Sequence, residues 1–477
     1  MDRSAAGGEP GGDAAHSGLR RLASRLYPDF SPFRHSREFR LLYTGQAAGF
    51  AGLMISFVAM PYQAYQLSGS SLVVGLLSFA ELVPLMAAAV LGGALADALE
   101  RRRLIVVTQG FPCAGSAALA VNALLWRQLW VLFLLAALIT AAAGLQRPSV
   151  EAMVPRLVAH DELSAAAALS GLLGSAGGIA GPLAGGLLIA AAGLPVAYAV
   201  QGAGCLAGLA AFALMRPCPP TPGAGRPSLR GTFEGLRYAR SRPELMGTYL
   251  IDIGAMLFGA PYALFPQIAA GLGGPAVLGL LYAAPDAGAI IVSLTSSWAR
   301  HVQRHGRAIV LAVCGWGVAI AAFGFAPNLW LAVAALAAAG GADMVSGLFR
   351  LTMWNQTIPA SLRGRLAGIE MISYTTGEPV GNLEAGVVAS VTGSVRIAVV
   401  SGGLLSLVGA LIVTVAMPKL WSYDARAWAR QAGIDDAGER SDVSTPDSAG
   451  VNAAACSPDG AGDREPLIGD SGGPKAL

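Results

Sequence analysis

The sequence predicts an all-α membrane protein of twelve transmembrane helices in two six-helix bundles, with both termini in the cytoplasm. Three observations lead there. The 477 residues are 54% hydrophobic and 13% charged, with a mean hydropathy of +0.56; an ordinary soluble chain carries about twice that charge. The apolar residues fall in twelve continuous runs, each near the ~20 helical residues that a ~30 Å hydrocarbon layer requires. Finally, 30 of the 32 Lys and Arg residues lie on one side of the membrane once the runs are threaded through it.

The first six runs are Leu41–Gln66, Leu72–Ala96, Leu104–Trp126, Leu129–Ala152, Ser164–Ala192 and Leu194–Met215. The second six are Leu245–Ala270, Pro275–Ala299, Ala308–Ala326, Leu329–Trp354, Leu366–Val391 and Val395–Met417. They are continuous where a barrel strand would alternate, and about twice a strand's length, so helices are expected. The connectors at Gly193, Gly273 and Gly393 are the shortest divisions. With the N-terminus inside, Arg101–Arg103, Arg147, Arg156, Arg216–Arg242, Arg300–Arg307, Arg350, Arg363, Arg365 and both tails are cytoplasmic. Only Arg127 and Arg396 face outward, a strong positive-inside asymmetry. No apolar h-region precedes the first run, so that run is read as the targeting element.

This threading divides the chain into an N-terminal tail (1–40), a first bundle (41–215), a linker (216–244), a second bundle (245–417) and a tail (418–477) read as mostly disordered. The linker opens Arg216-Pro-Cys-Pro-Pro and continues through Leu229, Phe233, Leu236 and Tyr238 among arginines. Such a pattern suits a short amphipathic helix on an anionic leaflet. The halves repeat at an offset of about 200. Gly75-Leu-Leu-Ser-Phe-Ala-Glu81 resembles Gly279-Leu-Leu-Tyr-Ala-Ala-Pro-Asp286, and Gly181-Pro-Leu-Ala-Gly-Gly186 resembles Gly381-Asn-Leu-Glu-Ala-Gly386. Six spans return the chain to its starting side, so the repeats are parallel.

Two motifs carry chemistry. After the second run comes Gly93-Ala-Leu95-Ala-Asp97-Ala-Leu-Glu100-Arg101-Arg102-Arg103, which resembles the loop signature of major facilitator transporters. Ala98 and Glu100 stand where that signature has Arg and Gly. The resemblance makes Gly93, Asp97, Arg101 and Arg102 a cytoplasmic gate, with Asp97 holding a neighbouring helix and basic side chains only when the mouth is shut. In the fifth run Gly177, Gly181, Pro182, Gly185 and Gly186 form a ladder of small residues that lets helices approach closely, with Pro182 adding a bend. Its spacing matches the antiporter motif of the same superfamily. Phe39-Arg40, Leu281-Tyr-Ala-Ala-Pro285 and Leu362-Arg-Gly-Arg365-Leu-Ala-Gly368 narrow the similarity to the bacterial enterobactin exporter group, over roughly Phe39–Met417.

Seven carboxylates lie within the runs: Glu81, Asp252, Asp286, Asp343, Glu370, Glu378 and Glu384. Each costs a few kcal/mol to place in hydrocarbon, so each faces protein or a cavity. Counting helical rise, Glu81, Asp286, Asp343 and Glu378 fall nearest the midplane and are the candidates for proton coupling and for the wall of a substrate cavity. Glu81 and Asp286, read as repeat-related, are the favoured pair. Arg147 is placed to pair with Glu151 one turn on.

Other chemistries are excluded or unsupported. Cys113, Cys205, Cys218, Cys314 and Cys456 show no CxxC or zinc spacing, and His301 and His305 sit in a basic loop, so no metal site is expected. Gly202-Ala-Gly204 precedes no dinucleotide fold, and no phosphate-binding loop or hydrolase motif occurs. The chain is therefore expected not to be an enzyme and to need no cofactor. It is read as a plasma-membrane permease, monomeric, with lipids, protons and a small-molecule substrate as partners and no nucleic acid. The resemblance implies proton-coupled export of a bulky amphipathic compound, a siderophore, macrolide or other drug-like molecule, by alternating access. A proton-coupled importer and a non-transporting sensor or assembly subunit are the alternatives.

Overall fold

The computed structural model describes residues 29–218, 237–238, 240–358 and 360–426, without the side chains at 94, 96–97, 360–365 and 367–374. The expected linker helix, apart from three of its residues, and the tail beyond 426 lie outside the described residues. So do the side chains of Asp97 and Glu370.

The chain is helical, with no strand among the described residues. The first half comprises α1 (Arg37–Ser68), α2 (Ser71–Ala98), α3 (Arg101–Val121), α4 (Leu129–Leu157), α5 (Leu163–Ala192) and α6 (Leu194–Ala213). The second comprises α7 (Pro243–Leu272), α8 (Pro275–Leu294), α9 (His305–Gly324), α10 (Leu329–Thr357), α11 (Ala360–Thr392) and α12 (Val395–Ala416). Among the described residues, eleven helices are long and apolar enough to cross a membrane; α11, with much of its first half undescribed, is the one outside that count. Their apolar side chains point outward as much as inward: Leu294, Val391 and Val415 are each more than 80% exposed. A surface of this kind suits hydrocarbon and not water.

Local sequence places the helix ends. The side chains of Ser36, Asn328 and Ser394 accept from the backbone N–H three residues on, capping α1, α10 and α12. On the side away from the termini the hairpins turn on residues with positive φ: Gly69, Arg127, Gly193, Gly273, Gly274 and Gly393. Glycine meets that requirement without a Cβ clash, which is why connectors as short as Gly193 and Gly393 suffice.

Two runs depart from expectation. The seventh, read as one segment over Leu245–Ala270, is broken: a helix over Pro243–Gly259, a 3-10 turn over Tyr262–Leu264, then a helix over Phe265–Leu272. Pro261 and Pro266 bring no N–H to the ladder, and Asn382 Oδ1 accepts from the freed N–H of Ala263 at 2.9 Å. The eighth helix stops at Leu294 and continues as a 3-10 turn over Ser296–His301, five residues short of the expected Ala299 as an α-helix.

Packing follows one plan twice. In the first half α1 packs on α5 and α6, α2 on α4, and α3 on α4 and α6; in the second, α7 packs on α11 and α12, α8 on α10, and α9 on α10 and α12. Adding six to each helix number maps one set onto the other. The halves meet mainly through α5 with α8 and α2 with α11, which the same operation exchanges. Those contacts lie away from the termini. There Ser71 donates to Gln267 at 2.6 Å, and Phe57 lies edge-on to Tyr282 with ring centroids 5.1 Å apart. On the termini side, α5 is open: Gly171, Leu172, Gly174, Ser175 and Ala176 are exposed.

Replacing Asn382 with Leu leaves the buried Ala263 N–H without a partner, a loss of about 1–3 kcal/mol. Asn382→Leu should therefore melt at lower temperature in detergent than the parent; an unchanged melting curve would show that the α7 break does not depend on this bond.

Candidate functional site

The α5 ladder serves two neighbours. A Cβ added at Gly177 or Gly181 would run into Phe50 or Met54 of α1, and one at Gly185 would lie 3.3 Å from the Ile55 backbone. One residue further round, Gly178, Pro182 and Gly186 face α8. A Cβ at Gly186 would lie 2.8 Å from Gly279 Cα, and one at Gly178 would strike the Asp286 carboxylate. The ladder thus binds α5 to its own half with one edge and to the other half with the next.

α11 repeats this arrangement. Gly377 and Gly381 abut Met256 and its neighbours on α7, while Gly386 meets Leu72 on α2, where a Cβ would lie 3.0 Å from the Leu72 Cα. Gly75 approaches the Asn382 backbone as Gly279 approaches Pro182. These contacts set the register of the repeat: Gly75 corresponds to Gly279. Glu81 is then the counterpart of Pro285, and Asp286 that of Leu82. The favoured acid pair is off by one residue, and the structure puts the two acids in separate cavities.

Glu81 lines a cavity of about 320 Å³ between the halves, together with Glu378, Tyr262, Tyr282, Phe57 and Asn382. The aromatic wall is ordered: the Tyr262 and Tyr282 rings stack with centroids 6.2 Å apart, and the Tyr282 hydroxyl donates to the Tyr262 carbonyl at 3.1 Å. Among the described residues, two carboxylates and no cationic side chain line this space. Asp286 and Asp343 instead line a cavity of about 100 Å³ within the second half, with Tyr262 forming a wall of both. A third cavity, about 640 Å³, occupies the termini side of the first half, walled by Phe50, Gln109, Gln146, Arg147 and Glu151 among mostly apolar residues. It adjoins the first at Leu85 and Thr375, which line both.

Its polar wall is internally bonded. Gln146 donates to Gln109 at 3.0 Å, Gln109 to the Cys205 carbonyl at 3.3 Å, and Arg147 pairs with Glu151 at 2.8 Å. Of the loop motif, Gly93 lies within α2, and Arg101 is buried with its N–H on the Cys218 carbonyl at 3.3 Å. Arg102 donates to the Ala213 carbonyl at 2.5 Å. The loop is thereby fastened to the end of α6.

Sequence reasoning missed one ion pair. Arg350 on α10 contacts the Asp252 carboxylate on α7, both under 10% exposed, and lies 3.9 Å from Asp343. Asp252 is among the intramembrane acids read from the sequence, whereas Arg350 is placed there with the cytoplasmic cations although it falls near the end of an apolar run. Their pairing was legible only if an intramembrane cation is required to find an intramembrane acid.

An all-helical chain of apolar spans, with two halves on one packing plan and a carboxylate-lined cavity between them, is a membrane transporter. The chain belongs to the transmembrane secretion effector family of major facilitator proteins, whose sequence profile matches residues 28–435. It is 30% identical over 379 residues to the enterobactin exporter EntS of Shigella boydii serotype 4, covering 79% of this chain and 91% of that one. The same figures hold for EntS of Escherichia coli O1:K1 / APEC. In fold it resembles a POT family transporter crystallised with 5-aminolevulinic acid, at TM-score 0.66 and 11% identity over 82% of this chain and 98% of that one. The nucleoside transporter NupG gives TM-score 0.63 and 12% identity, over 81% and 100%. The relatives are transporters and not enzymes, and the chain is a multi-pass plasma-membrane protein.

The ladder geometry makes a direct prediction. Gly181→Leu drives a branched side chain into Met54, an overpacking worth about 1–3 kcal/mol or more. Its folded yield or its transport should fall sharply. A stable and fully active Gly181→Leu protein would contradict the observed α1–α5 contact.

Proposed function

We propose that this chain exports a bulky amphipathic small molecule in exchange for protons, by alternating access between two six-helix bundles (41–215 and 245–417). In this reading α11 also crosses the membrane and completes twelve spans, the linker (216–244) and both termini are cytoplasmic, and the protein works as a monomer without a cofactor. The observation that carries it is the adjacency of the 640 Å³ cavity, through the shared wall residues Leu85 and Thr375, to the cavity that holds Glu81 and Glu378 between the halves. The contacts beyond those acids are closed. Substrate therefore enters from the cytoplasm in this conformation. The similarity to enterobactin exporters favours outward transport and a siderophore-like compound, and the mixed lining of the large cavity, apolar with a few amides and one ion pair, suits such a molecule.

Glu81 and Glu378 are the proton carriers in this scheme. A neutral carboxyl group crosses a closing, water-free interface at far lower cost than a carboxylate. Proton entry from outside thus favours return to the inward-open state, and proton loss to the cytoplasm readies the site for the next substrate. Asp286, against Gly178 across the interface, and Asp343, beside Arg350, are placed to feel the same motion. Asp97 and Arg101 form the cytoplasmic lock when the mouth shuts, the α2–α3 loop being already braced on α6.

Glu81→Gln and Glu378→Gln should each reduce pH-gradient-driven efflux from loaded vesicles to near background while leaving substrate exchange down its own gradient intact. Full gradient-driven efflux in both variants would refute the assignment of these two acids.

A further inference from the structure

We propose that the second half carries a binding site for one anionic phospholipid of the cytoplasmic leaflet, in a groove between α9 and α12. The groove holds about 290 Å³ and is lined by Val310, Leu311 and Cys314 of α9, Leu411, Thr414 and Val415 of α12, and Pro418 and Trp421 of the short helix Pro418–Ser422 that follows. It lies on the outer face of the protein. Leu311 is 63% exposed and Val415 82%, so the groove opens to hydrocarbon and not to the transport route. From Arg307 to Cys314 is about 10 Å of helix, which matches the upper part of an acyl chain below its headgroup.

The headgroup end is cationic and only partly satisfied. Arg307 sits in the first turn of α9 with its guanidinium over the Trp421 ring, 5.3 Å from the centroid. Its Nε is buried, and among the described residues it has no hydrogen-bond partner and no acidic one. Lys419, in the same short helix as Trp421, is exposed beside the groove mouth. The nearby acid Asp424 accepts from the N–H of Arg426.

The short helix is anchored to the second half. Leu420 is fully buried, closely packed on Gly247 and Gly306, and Tyr423 donates to Gln356 at 3.2 Å. A fixed arginine, an interfacial tryptophan and an apolar channel running into the membrane from between them define a phosphate-over-acyl-chain geometry. A charged partner is favoured because Arg307 and Lys419 both stand on the side read from the sequence as cytoplasmic, where anionic lipid concentrates.

The test uses the full-length protein in detergent. Dioleoyl phosphatidylglycerol or dioleoyl phosphatidylcholine is titrated in, with retained lipid read by native mass spectrometry and melting temperature read in parallel. The parent should retain one phosphatidylglycerol in preference to phosphatidylcholine and be stabilised by it. Arg307→Gln with Lys419→Gln should weaken phosphatidylglycerol retention by about twenty-five-fold, roughly fivefold per cation, and abolish the headgroup preference. Leu411→Trp, which fills the groove and keeps both cations, should lose retention of either lipid. Equal retention of the two lipids by the parent would overturn the proposal. So would phosphatidylglycerol retention unchanged in either variant, the result expected if the groove is instead covered by the chain's own acidic tail.

Discussion

The arrangement depends on backbone meeting backbone at two places, α5 against α8 and α2 against α11. At Gly186–Gly279 and Gly386–Leu72 no side chain separates the helices, so the two halves are held within a backbone's thickness on one side of the membrane. Without a hydrophobic drive between helices in lipid, close contact of small residues is what holds such an interface. Everything functional is placed relative to these two contacts: the carboxylates Glu81 and Glu378 lie next to them, and the large cavity opens on the side where the halves diverge.

The charges inside the apolar segments follow a different logic. Arg350 and Asp252 neutralise each other, and removing one would strand the other at a cost of about 3–5 kcal/mol; they brace α10 against α7. Glu81 and Glu378 have no cation along their cavity among the described residues. One set of intramembrane charges is paired across helices and the other is not, and the difference lies in whether an arginine from a neighbouring helix reaches them.

Much of this was legible in the sequence. Continuous apolar runs predicted the helices, because hydrophobic length is a property of a segment. The ladder Gly177–Gly186 announced close packing, because only small residues permit it. Less legible was anything that depends on register between segments. The likeness of Gly75–Glu81 to Gly279–Asp286 matches segments of unequal length, and only the matched contacts of Gly75 and Gly279 show that the register is ungapped and that Glu81 answers to Pro285. The pairing of Arg350 with Asp252 across about a hundred residues left no local trace. The break in α7 was signalled by Pro261 and Pro266, but the partner that makes it tolerable, Asn382, lies on another helix.

The central claim is exchange of substrate for protons in opposite directions. It is tested most directly by reconstituting the purified protein in vesicles with a trapped pH-sensitive dye, imposing a gradient of a transported siderophore-like compound with no pH gradient, and following the internal pH. The account predicts that protons move against the direction of substrate flow, with a rate that scales with it. Substrate movement with no pH change, or protons moving in the same direction as substrate, would contradict it.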